Sequence, residues 1–248
     1  MKKTPEWLTS RPIAHRGLHD GNDKIPENSL SAFAKAVKEK YPIELDVQII
    51  RDGTIIVFHD SDLKRICGIH KKTKTLTKET LKDHSLFNTN QTIPTLQDVF
   101  DLVKGQVPIL IELKTNLLAK HLEKNVLKLL KNYEGAIALQ SFNRSSVRWL
   151  SKQATMYCVG QLSEPSLVIK PLNHLFNYLQ LNTRMRPDFI AYDIDDLPNK
   201  KVTHFKNIGT PILLWTVRNQ VQMDNYHTIF DNIIFEGFTP SVLNDNLE

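Results

Sequence analysis

The feature that most constrains this chain is an alternation that runs its whole length. Short apolar runs recur at residues 13–14, 43–50, 109–113, 136–140, 156–162, 189–192, 212–217 and 233–235. Pro12, Pro42, Pro108 and Pro211 stand immediately before four of them. Proline is tolerated at a strand's first residue and keeps a preceding helix from continuing. Helical patterns fill the intervals. Leu30, Phe33, Ala34 and Val37 follow i, i+3, i+4, i+7 spacing behind a Ser29 cap. Leu96, Val99, Phe100 and Val103 repeat it behind a Thr95–Asp98 capping box. Leu118, Leu122, Val126, Leu129 and Tyr133 make a third stripe, and Leu172, Leu175, Phe176 and Leu179 a fourth. Alternating βα units predict a parallel sheet with helices outside it.

A ninth run, residues 55–58, follows the second after only Arg51-Asp52-Gly53-Thr54. Asp-Gly between apolar runs is a hairpin signal, whereas parallel neighbours need a crossover of about a dozen residues. The ninth run is therefore expected to fold back antiparallel, which leaves eight parallel strands. That number, at 248 residues, predicts a single (β/α)8 TIM barrel over residues 1–248, a fold that typically needs about 250. A two-residue turn at Asp52-Gly53 would set Arg51 opposite Thr54 and Asp46 opposite His59. Residues 60–94 are polar and irregular, with a short helix expected near 79–83. They read as a small insertion after the second strand and its hairpin extension, a candidate lid over the barrel mouth.

Composition narrows the partners. The net charge is +5, but the basic residues are scattered, and Lys71, Lys72 and Lys74 read as a solvated loop, so no nucleic-acid partner is expected. Cys67 and Cys158 lack metal-site spacing and read as free thiols. No run approaches the roughly 18 apolar residues of a membrane helix, and no apolar stretch follows the N-terminal lysines. A cytoplasmic protein without stable membrane insertion is the expectation. The glycines form neither a P-loop nor G-x-G-x-x-G, and G-x-S-x-G is absent.

In the second strand Glu44, Asp46 and Gln48 alternate with aliphatic residues, which puts both carboxylates on one face. On an isolated strand that face would meet solvent. In a barrel it points inward, where two carboxylates repel unless a cation joins them. Glu112 and Lys114 occupy one face of the third barrel strand. Three carboxylates without nitrogen or sulfur ligands suit one divalent cation, Mg²⁺ or Ca²⁺. His15 ends the first strand and His59 the hairpin strand, two imidazoles able to move protons near neutral pH. Arg16 and Lys114 add positive charge suited to phosphate oxygens.

The motifs His15-Arg16-Gly17, Pro26-Glu27-Asn28-Ser29, Glu44-Leu45-Asp46, and Asp52-Gly53 leading to His59-Asp60 together resemble the glycerophosphodiester phosphodiesterase family. The likeness continues through Pro94-Thr95-Leu96, Ile111-Glu112-Leu113-Lys114, Gln140-Ser141-Phe142 and Leu214-Trp215-Thr216-Val217. It implies a barrel that hydrolyses glycerophosphodiesters to glycerol 3-phosphate and an alcohol. His15 and His59 would be the acid–base pair, and Glu44, Asp46 and Glu112 would hold the cation. Arg16 and Lys114 would engage phosphate, with Phe142 and Trp215 forming apolar walls near the glycerol. Glu236 departs from the family's usual acid-bearing turn, and residues 165–187 match no motif. Two other readings share the barrel: phospholipase D-type hydrolysis of lysophospholipids, and phosphodiester binding without catalysis, against which the retained histidines and carboxylates argue.

Overall fold

A computed structural model describes residues 4–115, 120–164 and 186–241. Its strands are β1 (Ile13–Ala14), β2 (Ile43–Ile49), β3 (Ile55–Val57), β4 (Ile109–Leu113), β5 (Ile137–Ser141), β6 (Cys158–Ser163), β7 (Phe189–Asp193), β8 (Ile212–Val217) and β9 (Asn232–Phe235). They are ordered β1-β9-β8-β7-β6-β5-β4-β2-β3, and β1 also pairs with β2. Among the described strands, β3 alone is an added antiparallel one. The fold is the (β/α)8 barrel that the alternation predicts. Leu118 and the stripe around residues 172–179 lie outside the described residues.

Two compact units can be described separately, residues 14–137 and residues 1–13 with 138–248. In the first, the prolines show how strands begin. Pro42 has no N–H to give, but its carbonyl accepts from Ala14 N at 2.8 Å, and the Pro108 carbonyl accepts from Ile43 N at 2.9 Å. Helices α2 (Leu30–Lys38) and α4 (Leu96–Val103) start at Ser29 and Thr95 as the capping patterns predict, and Thr95 and Asp98 exchange both bonds of the box. Helix α5 (His121–Leu130) follows β4.

The hairpin differs from the expected register by one residue. Val47 pairs with Val57 and Ile49 with Ile55, while Phe58 N donates to Asp46 O, so Phe58 and not His59 lies opposite Asp46. The cause is a three-residue loop. Ile50 N donates to Thr54 O, Gly53 N to Ile50 O, and Gly53 adopts a φ of +87° that completes the turn. The insertion is also better ordered than its composition suggests. Leu63, Ile66, Leu76, Leu81 and Leu86 pack with Phe58, Ile50 and Ile56 into a core of their own, around helix α3 (Lys64–Cys67) and 3-10 turns at Thr73–Thr75 and Lys78–Asp83.

The second unit contains β6 to β9, most of β5, and α1 (Trp7–Ser10). Helices α6 (Arg144–Gln153), α7 (Lys200–Asn207) and α8 (Gln220–Asn225) begin at Asn143, Asn199 and Asn219, whose side chains accept the first free N–H groups. Gly160 is required by close approach, because a Cβ there would lie 2.2 Å from the Phe189 ring. Asn232, fully buried at the start of β9, donates to the carbonyls of Leu8 at 3.0 Å and Arg11 at 2.7 Å, which ties the N-terminal segment to the sheet. Asn232→Ala should lower the unfolding free energy by about 1–3 kcal/mol, the cost of leaving buried carbonyls unpaired. Chemical denaturation of the two proteins measures it.

Candidate active site

All three carboxylates expected to share a cation are buried and brought together. Oxygens of Glu44, Asp46 and Glu112 lie within 4.8 Å of one another. The pairing of Asp46 with Glu112 across β2 and β4 explains this, since residues facing each other in adjacent strands point to one side. Lys114 follows β4 directly, and its Nζ is 3.1 Å from Asp46 and 2.9 Å from Glu112.

Arg16 arrives from the turn after β1. Its backbone adopts a left-handed φ of +54°, as does that of Asn28, and Gly17 has a φ of +80°. Such conformations cost free energy in non-glycine residues and cluster at functional sites. Here they aim backbone and side chain at the acids. Arg16 N donates to Glu44 Oε2 at 3.1 Å, and Arg16 Nε lies 3.3 Å from Asp46 Oδ2. A Cβ at Gly17 would meet Ala32 and Phe33 at 2.9 Å. Asn28 Nδ2 donates to Asp46 at 2.9 Å, and Asn28 N to Arg16 O at 2.9 Å, so the two loops hold each other.

The cluster's titration follows from its charge balance. Burial and the repulsion of Asp46 and Glu112 push the Glu44 pKa well up. Burial likewise pushes Glu112 up, opposed by Lys114 and assisted by Asp46. For Asp46 the cost of burial is outweighed by Lys114, Arg16 and His59, which hold it well below the usual carboxylate range. Three carboxylates thus face two cationic side chains, and two of the acids resist ionisation. That shortage of positive charge, with a donor set of oxygens alone, fits a hard divalent cation.

His15 follows β1 directly, beside Arg16. His59 follows β3, and its Nδ1 lies 2.7 Å from Asp60 Oδ1. Gln48, on the acid face of β2, supports this site, and two further residues, Glu27 and Arg65, join it without any strand pattern to announce them. Gln48 Nε2 donates to the carbonyls of Phe58 and Asp60 at 2.7 and 2.9 Å, pinning the chain on either side of His59. Glu27 receives Arg16 at 2.6 Å and Arg65 at 2.8 Å. Glu27 belongs to the Pro26–Ser29 motif and could be noticed there, whereas Arg65 sits in the short helix α3 of the polar insertion with no local signal. In the other unit, Phe142 and Trp215 pack edge to face with centroids 5.6 Å apart. Glu236 pairs with Arg218 at 2.9 Å. Among the described residues no helix is long and apolar enough to cross a membrane, and Cys67 and Cys158 are free thiols.

A buried acid cluster flanked by Arg16 and Lys114, on neighbouring parallel strands of a (β/α)8 barrel, suits a site for an anionic substrate. A model of the glycerophosphoryl diester phosphodiesterase family matches residues 15–235, and the chain belongs to that family. A glycerophosphodiester phosphodiesterase of Caldanaerobacter subterraneus subsp. tengcongensis is 34% identical over 167 residues, 63% of this chain and 68% of the relative. The crystal structure of a glycerophosphodiester phosphodiesterase from Thermotoga maritima superposes with a TM-score of 0.71 at 25% identity, covering 91% of this chain and 94% of that one. An Oleispira antarctica phosphodiesterase, solved with the product sn-glycerol-3-phosphate, gives a TM-score of 0.75 at 20% identity over 92% and 93% of the two chains.

Glu27 makes an acid-stability prediction. Burial opposes its charge, but hydrogen bonds from Arg65 and the charges of Arg16 and Arg65 bring its pKa from 4.5 down to about 2. The unfolded chain therefore binds the proton first. The stabilisation, on the order of 3 kcal/mol, is fully present above about pH 4.5 and is lost as pH falls towards 2. Glu27→Gln should be less stable at neutral pH and show a shallower loss between pH 4.5 and 2, read by urea denaturation across that range.

Proposed function

We propose that this chain hydrolyses glycerophosphodiesters to glycerol 3-phosphate and an alcohol, using one Mg²⁺ or Ca²⁺ ion held by Glu44, Asp46 and Glu112. The single observation that carries this reading is the buried triad of carboxylates, short of positive charge and flanked by Arg16 and Lys114. A bound cation supplies Lewis-acid stabilisation to negative charge on the phosphate oxygens. The side chains account for the rest. Arg16 and Lys114 are already oriented by the acids they pair with, so they meet an anionic phosphodiester without reorganising.

His15 and His59 are assigned the proton transfers. As the attacking oxygen bonds to phosphorus, one imidazole takes its proton. As the phosphorus–oxygen bond to the alcohol breaks, the other imidazole protonates the departing oxygen. Asp60 supports the role of His59, because an ionised carboxylate can only accept, which leaves the proton on Nδ1 and Nε2 free for exchange. Phe142 and Trp215 present an edge-to-face aromatic pair suited to the carbon face of glycerol.

Glycerol 3-phosphate release from glycerophosphodiesters of choline, ethanolamine and glycerol tests the reading. Activity should vanish with EDTA and return with Mg²⁺ or Ca²⁺, and metal-independent turnover would remove the cation from the scheme. Hydrolysis confined to long-chain lysophospholipids would move the substrate class to lipids. His15→Ala and His59→Ala should each lower kcat by about 10²–10⁴-fold, and a near-wild-type rate in either variant excludes that histidine.

A further inference from the structure

One guanidinium connects the two halves of this site. Arg65 Nε and Nη2 donate to the two oxygens of Asp60, each at 2.8 Å. Its Nη1 and Nη2 donate to the two oxygens of Glu27, again at 2.8 Å. Asp60 accepts in turn from His59 Nδ1 at 2.7 Å, and Glu27 accepts from Arg16 Nη1 at 2.6 Å. A continuous chain therefore runs His59–Asp60–Arg65–Glu27–Arg16–Asp46.

The mount of Arg65 is rigid. Helix α3 is anchored by buried Ile66 in the insertion's core and ends at Gly68 in the left-handed conformation. Phe87 N donates to Ile66 O at 2.8 Å, and the Phe87 ring lies 5.8 Å from the Arg65 guanidinium. A surface ion pair made for stability alone would not need two bidentate grips on carboxylates that each hold another site residue. Bidentate grips fix the planes of both carboxylates, which a lysine ammonium cannot do.

We infer that Arg65 is a positioning residue, which locks Asp60 so that His59 keeps its proton on Nδ1 and at the same time sets Arg16 through Glu27. The inference rests on the proton-transfer role of His59 proposed above. Without Arg65 the Asp60 carboxylate is free to rotate, and the imidazole loses its fixed tautomer and orientation.

The test uses the full chain with Mg²⁺ in the glycerol 3-phosphate assay. Arg65→Ala should lower kcat about tenfold to a hundredfold, the usual effect of removing an orienting partner, with KM changed far less. Arg65 is half-exposed, so guanidinium added at millimolar concentration should restore part of the lost rate. Arg65→Lys should fall short of wild type, and the exposed neighbour variant Lys64→Ala should not differ from it. Asp60→Asn combined with Arg65→Ala should lose less than the product of the two single effects, since the two share the route through one imidazole. Arg65→Gln, measured beside its thermal midpoint, substitutes should Arg65→Ala fail to fold. Wild-type kcat in a folded Arg65 variant, no guanidinium rescue, or additive effects in the double variant would overturn the inference. His59→Ala separates the two failures. If it is active, the assigned mechanism fails. If it is inactive while Arg65→Ala is normal, only the role of Arg65 does.

Discussion

Three carboxylates buried within 4.8 Å of one another are the constraint around which this molecule is built. At such a separation two like charges repel by on the order of 3 kcal/mol, taking an effective dielectric near 20. The fold answers with Lys114 just after the strand that carries Glu112, Arg16 from a strained turn, and the amide of Asn28. These partners settle Asp46 as an anion and leave Glu44 and Glu112 reluctant to ionise. The imbalance leaves the cluster short of positive charge, which is the ground for the proposed cation.

The insertion of residues 60–94 takes part in the same arrangement. Its core of Phe58, Leu63, Ile66, Leu76, Leu81 and Leu86 is contiguous with the hairpin, so the segment that carries Asp60 and Arg65 is held by packing. Gln48 Nε2 adds to this support by donating to the main-chain carbonyls of Phe58, His59 and Asp60. The proton-transfer role proposed for His59 would require mounting of this kind, which presents one nitrogen in one direction.

Strand positions were legible because the period of two and the prolines are local signals. The helices at Ser29 and Thr95 were legible for the same reason, each starting at its capping residue. Helices α6, α7 and α8 went unannounced because their apolar stripes are short, and the asparagine caps were the signal available. The hairpin register was missed by one residue because Asp52-Gly53 is compatible with a two- or a three-residue loop. The choice fell to the hydrogen bond from Ile50 to Thr54.

By itself the sequence determined the barrel, the shared face of Glu44 and Asp46, and the family to which the motifs belong, since each depends on spacing along one strand or on residues close in the chain. Tertiary structure alone decided which charges meet. Arg65 lies 38 residues from Glu27 and Asn28 lies 18 from Asp46, and neither pair leaves a periodic trace. Partners so separated are chosen by the packing of loops on the sheet, because electrostatic compensation depends on distance in space and is indifferent to distance along the chain.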